Sequence, residues 1–313
     1  MLRDEAKLIY TSDELIRLIH QTGALSIWNR QKGPVFWYIA GVPGPFYLNT
    51  EIMLGEELAG RLLDGIDGIL AEAADPAARV ARLETLILPA WEKNPVYRRL
   101  TDTMVARAAS PMPPSDYSFV SGGERRDWLF SIPFAREAGK KHVFLFKDKS
   151  AFCPQGLKPP EAGLHIADLI NNAASYFEAW FPALQAARLK CLGTVCVNSR
   201  GERGVRKLRE HGQKVVSLAH IDADFFRRSL DNGLIDRAAY DEVELYMRAP
   251  ADWAARHLIG RTDLFDVAGI DQKSFARLQS FFAKDPWHLA KDHAAFFEAM
   301  RTAIAAREAN QAA

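Results

Sequence analysis

Residues 163–176 read Gly163-Leu164-His165-Ile166-Ala167-Asp168-Leu169-Ile170-Asn171-Asn172-Ala173-Ala174-Ser175-Tyr176. An apolar run ends in an acidic residue, a tight turn of small residues follows, and a helical pattern begins: the strand–loop–helix step of an α/β sheet. In an open α/β sheet, ligands bind beyond the carboxyl ends of the strands. Loop amides and a helix N-terminus at that place cradle an anion, and small side chains let the backbone approach a phosphate closely. Asp168 would then stand beside the bound group and accept hydrogen bonds from its hydroxyls. The same residues also read as a plain strand-to-helix turn with Ser175 as the N-cap.

The flanking sequence repeats this alternation. Strands are expected over 117–121, 142–146, 163–170, 192–197 and 215–221, and helices over 129–138, 175–187 and 205–211. Compact strands separated by helices of this length favour βαβ units and a parallel sheet. Val143-Phe144-Leu145-Phe146 is apolar at every position, as in a strand buried on both faces. Gly122-Gly123 follows the first strand and Phe146-Lys147-Asp148 ends the second. Residues 147–162 hold Pro154, Gly156, Pro159 and Pro160 and form a long connection, of the kind that is often functional or mobile.

Upstream, Ser12-Asp13-Glu14 precedes Leu15, Leu18 and Ile19 and predicts a capped helix. Residues 24–28 and 35–39 predict strands, with turns at Gly33-Pro34 and Val42-Pro43-Gly44-Pro45. The pattern over 51–88 is helical, with a break at Asp75-Pro76. Ser110-Pro111-Met112-Pro113-Pro114-Ser115 cannot continue a helix or a central strand and predicts a linker. Residues 223–313 read as wholly helical, with aromatic stripes that read as core and an Ala-rich tail that reads as frayed. The pattern divides the chain at 1–110, 111–223 and 224–313.

Composition limits the function. Among 313 residues, 40 Lys and Arg face 39 Asp and Glu, a net charge of +1 that argues against a broad nucleic-acid surface. It leaves room for a small local anion site. A chain of this size folds without disulfides, and its three cysteines, Cys153, Cys191 and Cys196, form no Cys-x-x-Cys pair, as in a reduced cytoplasmic protein. Met1-Leu2-Arg3-Asp4-Glu5 lacks the apolar core of a signal peptide. No run of about 18 apolar residues occurs, so a membrane span is not expected.

Other residue types carry weaker signals. Arg125 and Arg126 read equally as anion ligands or as surface ion pairs, and Lys147-Asp148-Lys149 equally as a site or a solvated turn. His142 and His165 read as structural residues of apolar strands, and Cys153 as an incidental thiol. Arg203, Arg206, Lys207, Arg209, His211 and Lys214 form a local basic face whose default reading is a solvated surface.

The order Ser121-Gly122-Gly123-Glu124-Arg125-Arg126-Asp127, Phe146-Lys147-Asp148, residues 167–175 and Asn198-Ser199-Arg200-Gly201-Glu202-Arg203-Gly204 resembles the type I phosphoribosyltransferases, above all the orotate phosphoribosyltransferases. Pro45-Phe46-Tyr47-Leu48-Asn49 is similar to a segment of that family's N-terminal hood. The departures are specific. Ala167-Asp168 stands for an acidic pair, Asn171-Asn172 for two threonines, Ala173-Ala174 for two glycines, and Asn49 for an aspartate. Alanine at a position that needs φ > 0 is strained.

The resemblance implies a Rossmann-like parallel α/β sheet flanked by helices, with an N-terminal α/β hood and a C-terminal helical extension. It implies transfer of ribose 5-phosphate from phosphoribosyl diphosphate to a nitrogen base, with Mg2+ entering through the diphosphate and not through a protein ligand set. The protein would contribute positioning and electrostatic stabilisation of the leaving pyrophosphate. It assigns Asp168 to the ribose hydroxyls and Asn171, Asn172, Ala173, Ala174 and Ser175 to the 5-phosphate. Gly122, Gly123, Arg125 and Arg126 would meet the pyrophosphate, and Lys147 the pyrophosphate or the base. Lys149 and Lys158, in a mobile loop, would close over the site. It also implies a homodimer that binds a small phosphorylated ligand and neither nucleic acid nor membrane. The alternative on the same fold is a non-catalytic sensor of phosphoribosyl diphosphate or a nucleotide; a third reading is a structural protein that keeps only the fold.

Overall fold

The computed structural model describes residues 9–29, 34–72, 75–261 and 271–312. The N-terminal pentapeptide and Gly33 of the expected Gly33-Pro34 turn lie outside the described residues. Along the chain come α1 (Ser12–Gln21), β1 (Leu25–Ile27), β2 (Phe36–Trp37), β3 (Pro43–Gly44), β4 (Phe46–Leu48), α2 (Glu56–Ala71), α3 (Pro76–Lys93) and α4 (Pro95–Ala109). Then follow β5 (Phe119–Gly123), α5 (Asp127–Glu137), β6 (Lys141–Leu145), β7 (Ala151–Phe152), β8 (Glu161–Ile170), α6 (Phe181–Ala186), β9 (Leu189–Arg200), α7 (Glu202–Glu210) and β10 (Lys214–Ile221). The last elements are α8 (Ala223–Asp231), α9 (Arg237–Arg248), α10 (Pro250–Leu258), α11 (Gln272–Lys284) and α12 (Ala294–Ala312).

The chain forms two compact units, one of residues 1–24 and 49–225, the other of residues 25–48 and 226–313. The expected boundaries at 110/111 and 223/224 differ from these. Residues 50–109 do not form a separate hood, because α3 and α4 bury their apolar faces in the first unit, where α4 packs on α5 and β10. The proline-rich segment at 110–115 is no domain linker: it joins α4 to β5 within that unit, and Met112 is buried.

The first unit holds a six-stranded sheet in the order β10-β9-β8-β5-β6-β7, parallel except for β7, which runs antiparallel to β6. Its strands are covered on both faces: Val143, Phe144 and Leu145 are consecutive and fully buried. From β5 the chain steps to β6 on one side, then returns past β5 to β8 and continues outward to β9 and β10. The reversal lies between β5 and β8. The two pair only as far as Ser121 and His165, although β5 runs on to Gly123 and β8 to Ile170, so their carboxyl ends part.

Local chemistry explains the flanking helices. Asp75 caps α3 by accepting hydrogen bonds from the amides of Ala77 and Ala78, and Pro76 opens the helix. The cap of α1 is Thr11, one residue earlier than the expected Ser12, with Glu14 completing a capping box. Pro133 lies inside α5 and has no N–H to offer the carbonyl of Leu129, four residues back. The Tyr97 hydroxyl of α4 donates to that carbonyl instead. Residues 147–162 carry β7 folded back on β6, which gives the expected mobile loop an edge strand of its own.

The second unit pairs β1 with β4 and β2 with β3, both antiparallel. Trp37 of β2, with Trp28 just after β1 and Val35 just before β2, shares a buried cluster with Trp253, Leu258, Phe275, Leu278, Phe281, Phe282 and Phe297 of the helices, so the aromatic stripes are core. Helix α12 runs to Ala312, through the tail that composition reads as frayed. Among the described residues no helix is long and apolar enough to cross a membrane.

His142 is buried on β6 against the Ser131 hydroxyl, with Nε2 at 2.9 Å from Oγ. Burial, with a smaller contribution from His165, lowers its pKa from 6.5 to about 3. The folded chain therefore keeps this imidazole neutral while the unfolded chain takes up a proton below its ordinary value. The stability it contributes is present above 6.5 and is lost as the pH falls toward about 3, by at most about 1.4 kcal/mol per pH unit. Urea titrations at pH 7 and pH 5 are expected to show a lower midpoint at pH 5, and His142→Gln to flatten that difference; an unchanged slope would exclude this histidine as a source.

Candidate functional site

The parting of β5 and β8 leaves the amides of Gly123 and Asp168 without strand partners, and a buried N–H must find an acceptor. Asp127, at the first turn of α5, supplies both acceptors. Its Oδ2 accepts from Gly123 N at 3.2 Å and its Oδ1 from Asp168 N at 3.0 Å. His165 Nε2 lies 3.5 Å from the same Oδ2, while its Nδ1 is 3.1 Å from the Ser121 hydroxyl. The His165 ring packs on Tyr176 and Trp180. The crevice at the sheet's reversal, where the fold rule places a ligand, thus holds a carboxylate of the chain itself.

Asp168 is half-buried at the end of β8. Burial, reinforced by the charges of Asp127 and Glu51, pushes its carboxyl well above the usual range, against the pull of Arg126. Glu51, in the short helical turn Thr50–Leu54, is buried with its Oε1 at 3.2 Å from Arg126 Nε. Asn198, near the end of β9, donates from Nδ2 to Thr50 Oγ1 at 3.0 Å. Glu51, Asp127 and Asn198 were not singled out by the sequence pattern. Asp127 ends, and Asn198 begins, a stretch that carries the family resemblance, and Glu51 follows a third at a distance of two residues.

The expected phosphate loop is a structured turn. Ala173 takes φ +59°, the left-handed conformation that a glycine adopts without strain. Asn172 Oδ1 accepts from the Ala174 amide at 3.0 Å, and the Asn171 carbonyl accepts from Gly204 N of α7 at 3.1 Å. Gly204 is required there, because a β-carbon would collide with that carbonyl. Ser175 is not the helix cap: it is itself helical, at φ −55° and ψ −33°, makes no capping bond, and leads into a π-turn, Tyr176–Trp180, before α6. Asn171, Asn172 and Ser175 are exposed.

Gly122 and Gly123 belong to β5 and not to a loop after it. A β-carbon on Gly122 would strike Ser131, and one on Gly123 the Trp180 indole, so the two glycines serve close packing. Arg125 pairs with Asp67 and Arg126 with Glu51. Lys147 is exposed beyond β6, its Nζ 3.6 Å from Glu124 Oε1 and its amide bonded to Oε2 of the same carboxylate. Lys149 and Lys158 are exposed in the segment that carries β7, and the Lys158 amide donates to Glu161. Cys153 belongs to that segment, directly after β7, with its thiol pushed up by burial; burial also raises Cys191 and Cys196, each to about 12. On α7, Lys207 stacks over Phe177 and Arg206 lies 3.9 Å from Glu210, while Arg203, Arg206 and Arg209 are exposed.

The sheet order, the reversal between β5 and β8 and the placing of Asp168 at a strand end define the fold of the type I phosphoribosyltransferases. The chain is similar in structure to the UMP synthase of Leishmania donovani, with a TM-score of 0.50 and 11% identity over 76% of this chain and 42% of that one. It therefore spans under half the length of that protein. The orotate phosphoribosyltransferase of Aeropyrum pernix aligns at TM-score 0.47 and 14% identity, over 70% of this chain and 99% of that one. That of Mycobacterium tuberculosis, in complex with inorganic phosphate, aligns at 0.40 and 15% over 68% and 97%. By sequence, no family and no curated protein matches.

Two substitutions read the site's electrostatics. Because the folded Asp168 holds its proton above the unfolded value of 3.8, its contribution to stability is present at low pH and lost as the pH rises through the folded value. Asp168→Asn keeps the neutral shape and is expected to raise Tm more at pH 8 than at pH 5, by about 2–4 °C for each kcal/mol recovered; equal shifts would mean the carboxyl is charged at both. Ala173→Gly relieves the left-handed alanine and is expected to stabilise the fold by up to about 1 kcal/mol in urea denaturation.

Proposed function

We propose that this chain binds a ribose-phosphate ligand on the phosphoribosyltransferase fold without transferring the ribose. The turn 171–175 takes the phosphate, at the start of the Tyr176–Ala186 helical segment, and Asp168 takes the ribose hydroxyls. The observation that carries the non-transferring reading is the occupation of the β5–β8 crevice by Asp127, which holds the amides of Gly123 and Asp168. A departing pyrophosphate needs free amides and cations there, and it meets a carboxylate. Arg125, Arg126 and Lys147, the cations assigned to it by resemblance, each lie on a carboxylate, of Asp67, Glu51 and Glu124.

A second reading keeps the transfer, in which a nitrogen base displaces magnesium pyrophosphate from the ribose C1 atom. It is supported by the fold and by Asp168 at the end of β8. Magnesium would enter with the diphosphate; among the described residues no group of three or more His, Cys, Asp or Glu is arranged to hold a metal ion.

Calorimetric titration with ribose 5-phosphate and with magnesium phosphoribosyl diphosphate separates these readings. Non-transferring binding predicts that the two ligands bind within about threefold of each other and that no pyrophosphate is released with any of a panel of bases. Ser175→Glu, an exposed substitution that puts negative charge in the turn, is expected to weaken both by more than tenfold. Pyrophosphate release would establish transfer, and failure of the wild type to bind ribose 5-phosphate would remove the phosphate assignment.

A further inference from the structure

Two buried acceptor atoms have no hydrogen-bond partner: Oε2 of Glu51, whose charge acts on Asp168, and Oδ1 of Asn198, which pairs with Leu169 across β8 and β9. Both residues are more than nine-tenths buried, Glu51 at 5% exposure and Asn198 at 0%. Buried polar atoms are almost always satisfied, by the chain, by water or by a ligand, so two unsatisfied acceptors anchored by one element are a candidate ligand position. The two atoms are held in place by their other halves. Asn198 Nδ2 donates to Thr50 Oγ1 at 3.0 Å and lies 3.5 Å from Met53 Sδ, which turns Oδ1 away from them. The Oε1 of Glu51 lies on Arg126, which leaves Oε2. Both anchors depend on one element, the turn Thr50–Leu54, which packs on β8.

The surroundings are acceptor-rich. Glu51 and Asp127 both act on the Asp168 carboxyl, and Arg126 is the cation that acts on it, already opposite Glu51. An anionic group brought here would be repelled and would leave both orphan oxygens unpaired. A group with N–H donors would satisfy them, and it would gain from the carboxylate's charge.

We infer that the end of the ligand opposite its phosphate is a nitrogen heterocycle presenting N–H donors, such as an amino group beside a ring N–H, received by Glu51 and Asn198, and that a carboxylated base is rejected. This rests on the ribose-phosphate reading above: with the phosphate on the turn 171–175 and the ribose at Asp168, the base is the part that reaches Glu51 and Asn198. A site built to hydrogen-bond a donor rejects the analogue that lacks it, because its own buried groups are then left unpaired.

The test is competitive titration of the wild-type chain with guanosine, inosine and orotidine 5′-monophosphates, together with ribose 5-phosphate as the base-free reference. Guanosine monophosphate, with its amino group beside a ring N–H, is expected to bind about tenfold tighter than the inosine analogue that lacks the amino group. It should bind more than a hundredfold tighter than the carboxylated orotidine analogue. Glu51→Gln removes the charge and is expected to bring the guanosine and orotidine affinities within about tenfold. Orotidine monophosphate binding as tightly as guanosine monophosphate to the wild type would overturn the inference with no variant needed. So would a folded Glu51→Gln protein, checked by its thermal transition, that keeps the full preference. If ribose 5-phosphate binds and the three nucleotides bind no better than it does, this inference fails while the ribose-phosphate reading stands; if nothing binds, both fail.

Discussion

The two oxygens of Asp127 do for this sheet what a strand partner would otherwise do. Where β5 and β8 part, Gly123 and Asp168 each have a backbone N–H that the ladder no longer serves, and one carboxylate bridges both. The bridge closes the sheet's reversal with a charge, and the neighbourhood answers that charge. His165 points a ring nitrogen at the same carboxylate, and the Asp168 carboxyl beside it is driven toward its neutral form. In an anion-binding member of such a fold this would be the place for free amides. Here the amides are used, and the local field favours neutral and donor-bearing groups.

This arrangement separates two properties that usually travel together in an α/β sheet. Topology alone places a ligand at the reversal. The side chains around it decide which ligand can be tolerated, and they come from distant parts of the chain: Glu51 from a turn before the helices, Asp127 from the start of α5, Asp168 from the end of β8. The turn 171–175, to which we assign the phosphate, follows β8 and meets α7, where Gly204 lets the two backbones touch. A phosphate there and a carboxylate in the crevice need not conflict, because they occupy different parts of the same strand end.

Much of the sheet was legible because its signals are local. A run such as Val143-Phe144-Leu145 carries its burial in its own composition, and Asp75-Pro76 marks a helix start through the chemistry of one cap. Asp168 was legible for the same reason, as an acid at the end of an apolar strand. What was not legible is long-range. Gly122-Gly123 reads as a turn because glycine has no side chain, whereas here that absence makes room for Ser131 and Trp180 within a strand. The use of Asp127 rests on a contact with Asp168 across 41 residues, and the Asn198–Thr50 bond spans 148. The division into units escaped the sequence because an apolar stripe says that a segment must be covered and not by which neighbour. Residues 25–48 find their cover among the C-terminal helices, while α4 finds its own on α5 and β10.

The bond between the Tyr97 hydroxyl and the Leu129 carbonyl has a wider meaning in this light. Pro133 removes one of the rungs that tie the first turn of α5, which bears Asp127, to the rest of its helix, and α4 supplies the missing donor from outside. The aim of the bridging carboxylate is therefore a tertiary property. A peptide carrying only β5, the turn and α5 would hold the carboxylate and the Gly123 amide and still lack the crevice, because Asp168 and the Tyr97 hydroxyl belong to other parts of the chain.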